Sequence, residues 1–205
     1  MADYLTSNIR NIALMGHGGE GKTTLTEAML YAAGIIDRQG KVEDGTTTTD
    51  FEPEEIRRKC SVSAACAPID WNDKMLNIID VPGYFDFIGE MVGPLRVVET
   101  ACIVVSGVTG FNVGAEKAFK HAVKSGVGRM FVINQMDREH ANFDKVTQQL
   151  RDRHGSCVVP VLMPIGEGPD FRGVVNVLEK KAYEGAYKKS TEVPMPDSMK
   201  EKVDR

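Results

Sequence analysis

An α/β fold, with a mostly parallel sheet and helices on both faces, is what the sequence predicts, and three observations predict it. Short apolar runs rich in β-branched residues recur along the chain, and stretches of helical period separate them. The first run passes through a glycine-rich loop directly into a helical pattern. The composition, 205 residues with 42% hydrophobic and 26% charged, is ordinary for a globular chain, argues against disorder and allows one good core with a small appendage.

In chain order, residues 9–15 read as a buried strand, 16–21 as a glycine loop and 22–33 as a helix. Residues 61–71 and 74–81 read as two strands joined at Asn72-Asp73, a hairpin. A helix is expected within 86–99, with Pro94 near one end or at a kink. Residues 102–106, 129–134 and 157–162 read as short strands, with helices over 114–124 and 139–154 between them. Residues 34–55 lack periodicity and are rich in Gly, Thr and Asp, so they read as a long loop of the functional or mobile kind. From Gly166 the pattern changes to β-rich, with strands expected over 171–178 and 181–187. Pro196-Asp197-Ser198 opens a charged helical pattern that stops at Arg205, as in a chain cut short.

Bulk charge narrows the function classes. Lys and Arg number 25 against 29 acidic residues, a net charge of −4, so the chain is no basic nucleic-acid glove and no DNA partner is expected. The densest basic run, Arg57-Arg58-Lys59, reads as a solvated face. Four cysteines (60, 66, 102 and 157) form no CxxC pair, and no histidine stands at metal spacing. Cys66 and Cys102 lie in apolar runs and are expected to be buried free thiols, which points to a reducing cytoplasmic compartment. The first twenty residues lack a signal-peptide core and no apolar run reaches about 18 residues, so neither secretion nor a membrane is expected.

Three motifs carry chemistry. Gly16-His17-Gly18-Gly19-Glu20-Gly21-Lys22-Thr23 matches GxxxxGK[ST] between a strand and a helix, the phosphate loop of P-loop NTPases. Glycines let its backbone N–H groups curl around phosphate oxygens, and the following helix aims its positive end at the same place. Lys22 would reach the β- and γ-phosphates, the Thr23 hydroxyl would ligate Mg2+, and Thr24 completes the nucleotide-binding run. A strand ending in Asp80-Val81-Pro82-Gly83 supplies DxxG: Asp80 at the strand tip to hold Mg2+, and the Gly83 N–H to reach the γ-phosphate. Asn134-Gln135-Met136-Asp137 follows another apolar strand and is similar to the guanine-reading NKxD motif. Asp137 can accept from guanine N1–H and N2–H2, a donor pair adenine lacks, and this disfavours an ATPase. Asn134 would tie the base loop to the phosphate loop. Gln135 stands where the motif has Lys, whose stem covers one face of the base.

Beyond these motifs, IRNIALMGHGGEGKTTLTEAMLYAAG (9–34) resembles the opening of elongation factor G and its relatives. TDFEPEEIRRKCSV (49–62) resembles that family's switch I, and VPGYFDFIGEM (81–91) continues the likeness. LMPIGEGPDFRGVVNVLEKKAYE (162–184) resembles the start of the inserted G′ subdomain. The Gly-His-Gly-Gly loop and the Asp80–Tyr84 stretch are closer to the elongation factor G-like branch than to the main translocase.

The resemblance implies residues 1–165 as a GTP-binding P-loop domain and 166–205 as the start of the G′ subdomain. It implies GTP and GDP with Mg2+ as cofactors, a slow, ribosome-dependent GTPase activity, and the ribosome as partner of the full-length protein. Carried over by position, the switch I hydroxyl on Mg2+ falls on Ser61, and Lys59 stands where the family has Gly. The hydrolytic histidine position is Tyr84, so Lys22, Gly83 and Tyr84 are the implied catalytic set. The family's monovalent-cation aspartate position is Gly19, and no copy of the guanine O6 motif is found. A non-hydrolysing guanine-nucleotide binder, which Tyr84 favours, and a ribosome-protection factor of the tetracycline-resistance type remain open.

Overall fold

Five strands form the main sheet: β1 (Ile9–Gly16), β2 (Ala65–Trp71), β3 (Lys74–Asp80), β4 (Thr100–Ser106) and β5 (Gly128–Asn134). Their spatial order is β2-β3-β1-β4-β5. β1 pairs in parallel with β3 and β4, and β2 runs antiparallel to β3. The computed structural model describes residues 4–185 and 189–204. Its contacts divide the chain into two units, Met1–Val105 with Asn112–Val132, and Ser106–Phe111 with Ile133–Arg205.

In the first unit, α1 (Lys22–Ala33) covers one face of the sheet, where Leu25, Met29, Leu30 and Ala33 pack with Leu14, Ala67, Ile69 and Ile78. Each such buried aliphatic side chain contributes about 1.5–3 kcal/mol over its exposed state. Alternation along β1 turns Ala13 and Met15 to the other face, where α3 (Val113–Ser125) packs on β1 through a stripe of Gly114, Ala115, Ala118 and Ala122. The mostly parallel α/β architecture is as expected. The β2–β3 hairpin also forms, because Asn72 (φ 47°) and Asp73 (φ 58°) adopt the left-handed turn that matches strand twist.

The second unit holds α4 (Phe143–His154) and a separate antiparallel sheet, β6 (Leu162–Ile165), β7 (Gly173–Asn176), β8 (Lys181–Glu184) and β9 (Thr191–Val193), in that order. Ile165, Val175 and Ala182 form its core with Val203 of α5 (Asp197–Asp204).

Several expectations are corrected. Residues 86–99 form no α-helix but two 3-10 turns, Phe85–Met91 and Pro94–Arg96, with Phe87 outside helical space (φ −108°, ψ 23°). Gly89 and Gly93 weaken the helix, and Pro94 withdraws an N–H. Residues 157–161 are not a strand: Pro160 lacks a ladder donor, Val159 and Val161 stay exposed, and pairing starts only at Leu162. The first strand of the hairpin begins at Ala65 rather than Ser61. The helix expected from 139 starts at Phe143, where the Asn142 side chain caps it by accepting from Lys145 N at 2.7 Å.

The long loop ends in a short helix, α2 (Pro53–Arg58), opened by proline and a Glu52–Glu55 capping box. β8 ends at Glu184, and residues 186 and 187 of the strand expected there lie outside the described residues. Cys66 is exposed rather than buried, because β2 turns Ala67 and Ile69 inward and therefore Cys66 outward. Cys102 is buried as expected, and burial pushes its thiol up to about 11. Among the described residues no helix is long and apolar enough to cross a membrane.

Candidate functional site

At the end of β1 the chain turns through Gly16 into a loop in which Gly19 and Gly21 take φ of 81° and 84°, a region closed to most side chains. Gly21 is the residue before α1, and its carbonyl receives Leu25 N at 2.9 Å, so the helix starts at Lys22 with its free N–H groups facing the loop. Lys22 is buried, at 6% exposure, although it stands at a helix start. Its Nζ folds back to donate to the carbonyls of His17 (2.8 Å) and Gly16 (3.3 Å). Burial lowers its pKa, against the opposing charges of Asp80, Glu20 and Asp50.

Around Lys22 the structure gathers oxygen atoms from three segments. The Thr23 and Ser61 hydroxyls lie 3.1 Å apart. Asp80, at the tip of β3, is 1% exposed; its Oδ2 accepts from Thr49 Oγ1 at 2.9 Å, and its Oδ1 has no hydrogen-bond partner. Asp50 is buried too, with an unpartnered Oδ2. Burial raises both carboxyls, Asp80 to about 6 despite the Thr23 hydrogen bond, the Lys22 charge and the Thr49 hydrogen bond. Two hydroxyls beside buried carboxylates with spare lone pairs are the donor set of a small hard dication, so Thr23, Ser61 and Asp80 fit Mg2+.

Gly83 closes over this group. A Cβ built there would lie 2.3 Å from Lys22 Nζ and 2.6 Å from Gly18 N and His17 C. The half-exposed Tyr84 follows, then Phe85, whose ring centroid is 5.7 Å from that of His17 and 3.9 Å from Lys117 Nζ of α3. Glu20 is buried and accepts from Asn112 Nδ2 at 2.6 Å; Asn112 also caps α3 by accepting from Ala115 N at 3.0 Å. Thr24 is exposed on the outer side of α1.

Thr49, Asp50, Glu27, Glu55 and Asn112 are the residues that sequence reasoning passed over. Glu27, 1% exposed on α1, fastens the long loop by accepting from Gly40 N (2.8 Å) and Thr48 N (2.5 Å). Glu55 does the same further on, accepting from Val62 N (2.9 Å) and Ser63 N (3.1 Å) next to Ser61. The available signal was acidic residues inside an otherwise unpatterned segment. Lys59 ends α2 at φ 55°, the left-handed conformation that glycine takes freely. Arg57 and Arg58 pair with Glu54, whose carboxyl they hold at about 2, so this basic run is a solvated face as read.

Within the second unit, Gly107 N donates to Asn134 O at 2.7 Å, and Gly168 N to Met136 O at 2.8 Å. Met136 is buried with Ala141 and Phe143. That anchor leaves Asn134 and Gln135 half-buried and Asp137 exposed. Gln135 takes φ 59°.

The chain matches the model of the elongation factor Tu GTP binding domain over residues 7–199. It belongs to that family. Among relatives of this GTP-binding domain, the elongation factor G-like protein of Thermotoga maritima is 37% identical over 191 residues, covering 93% of this chain and 27% of that protein. Elongation factor G of Mycoplasma pneumoniae is 34% identical over 199 residues, covering 96% of this chain and 29% of the relative. A crystal structure of a protein from Thermus thermophilus superposes with a TM-score of 0.90 at 37% identity, over 96% of this chain and 30% of that one. The likeness to elongation factor G read from the sequence is borne out, and the chain spans under a third of these relatives.

Proposed function

We propose that the chain is the guanine-nucleotide-binding part of a ribosome-associated, cytoplasmic translational GTPase of the elongation factor G-like type. What supports this most is the convergence of Lys22, Thr23, Ser61 and Asp80 at the phosphate loop, in a chain of the GTP-binding family. In this reading residues 1–165 bind the nucleotide, and 166–205 begin the inserted G′ subdomain.

Residues Gly16, His17, Gly18, Gly19, Glu20 and Gly21 hold the phosphates through backbone N–H groups, with Thr24 at the same helix start. Lys22 neutralises the β- and γ-oxygens. Thr23, Ser61 and Asp80 would hold Mg2+, which when bound neutralises charge on the phosphate oxygens. Asp137 selects guanine, with Asn134 and Gln135 flanking it in the base-reading loop. Ser61 sits in the loop fastened by Glu27 and Glu55, and Gly83 at the head of the 3-10 segment. Gain and loss of the γ-phosphate therefore act on both, as in an order-disorder switch. Tyr84 takes the water-orienting place, where its hydroxyl can donate and accept hydrogen bonds.

The deciding experiment is GTP turnover by the full-length protein with and without ribosomes, beside nucleotide binding. Slow turnover raised by ribosomes supports the proposal. Binding without turnover in either condition selects a non-hydrolysing binder, the reading that Tyr84 favours. Absence of guanine-nucleotide binding overturns both.

A further inference from the structure

Gly18 and its neighbour Gly19 are glycines for different reasons. Gly19 needs its left-handed φ of 81°, and a Cβ there would meet open space. Gly18 is not among the positive-φ residues, so its φ does not demand glycine. Its constraint is spatial: a Cβ on Gly18 would lie 2.8 Å from Tyr84 Cζ and 2.9 Å from Cε1 and Cε2. These are the three atoms at the outer end of the phenol ring, and such separations are inside van der Waals contact.

The backbone around Tyr84 is packed on both sides. On one side Gly83 is closed against Lys22 Nζ, Gly18 N and His17 C. On the other Phe85 packs against His17 and lies under Lys117, 3.9 Å from its ring centroid. Tyr84 is 45% exposed, so a side chain at position 18 would turn its ring out into solvent. Among the described residues, nothing else lies as near to that position.

We propose that Gly18 is a positioning residue for Tyr84: the missing side chain is the seat of the phenol ring, and the two residues act as one unit holding the 83–91 segment on the phosphate loop. The inference rests on the GTPase reading only for its catalytic consequence. The seated ring keeps the Tyr84 hydroxyl in one place beside the loop; an unseated ring leaves it to solvent. A large ring at 84 therefore requires glycine at 18, whereas a small residue at 84 permits a side chain there.

A double-mutant cycle in the full-length protein tests this, with Gly18→Ala, Tyr84→Ala and the pair. Two readouts are followed: hydrogen exchange of the 83–91 amides without nucleotide, and ribosome-stimulated single-turnover GTP hydrolysis. Gly18→Ala should speed exchange and slow hydrolysis by about tenfold each, and in the Tyr84→Ala background should change exchange by less than about twofold. Tyr84→His should recover most of the hydrolysis lost in Gly18→Ala, a rescue that a general loosening of the loop does not give. Equal effects of Gly18→Ala on exchange in both backgrounds, or unchanged exchange at 83–91, overturn the seat. Coupled exchange in a protein that binds no guanine nucleotide would instead leave the seat standing and remove the GTPase reading.

Discussion

Replacing Asp80 with asparagine should make the nucleotide-free protein more stable at neutral pH while removing its Mg2+-dependent GTP binding. Asp80 is 1% exposed, and burial raises its carboxyl from the ordinary 3.8 to about 6. Because the folded value lies above the unfolded one, the fold favours the protonated acid. That contribution is complete below pH about 4 and is lost as the pH rises through about 6. The interval between 3.8 and about 6 corresponds to about 3 kcal/mol at ~1.4 kcal/mol per pH unit. Asparagine cannot ionise, and its carbonyl can still accept from Thr49 Oγ1. Urea unfolding in the presence of a chelator should therefore find Asp80→Asn more stable by about 2–3 kcal/mol at pH 7.5, with most of the difference gone by pH 4. A parent as stable as the variant at pH 7.5, or a gap that does not change with pH, would refute the reasoning.

Lys22→Ala should abolish GTP and GDP binding in a titration with labelled nucleotide. Since the buried ammonium also bonds the Gly16 and His17 carbonyls, the variant should melt at a different temperature from the parent, which a solvent-facing lysine would not cause. Glu27→Ala should cost about 3 kcal/mol or more, since two backbone N–H groups lose a charged acceptor, and should speed tryptic cleavage at Arg38 and Lys41. Lys59→Gly should raise stability by about 0.5–1 kcal/mol in a urea titration, because φ 55° strains a lysine and not a glycine.

Where local chemistry decides the structure, the sequence was legible. The helix over 22–33 appears at the expected limits, because a glycine cap, a GKT start and Gly34 mark both ends. The Asn72-Asp73 hairpin forms because its turn residues tolerate positive φ. Local pattern misled where tertiary contacts rule. Residues 86–99 carry apolar residues at helical spacing, yet Gly89, Gly93 and Pro94 break the backbone, and packing of Gly83 and Phe85 on the phosphate loop sets the path. The loop over 34–52 looks solvent-borne from its composition. It carries the buried Thr49 and Asp50 because Glu27 supplies acceptors for its backbone, a long-range effect with no local signature. The burial of Lys22 and the contact of Tyr84 with Gly18 were likewise hidden, since each depends on chain segments far apart in sequence.

Guanine selectivity at a magnesium-dependent phosphate loop is tested most directly by titrating labelled GDP and ADP against the full-length protein in Mg2+. In the proposed role Asp137 would accept two hydrogen bonds from guanine and none from adenine, each worth about 1.5–3 kcal/mol at a charged group, so GDP should bind at least about a hundredfold more tightly. Asp137→Asn should move the preference toward xanthine nucleotides, which carry a carbonyl in place of the guanine amino group. Comparable affinities for GDP and ADP would contradict the assignment.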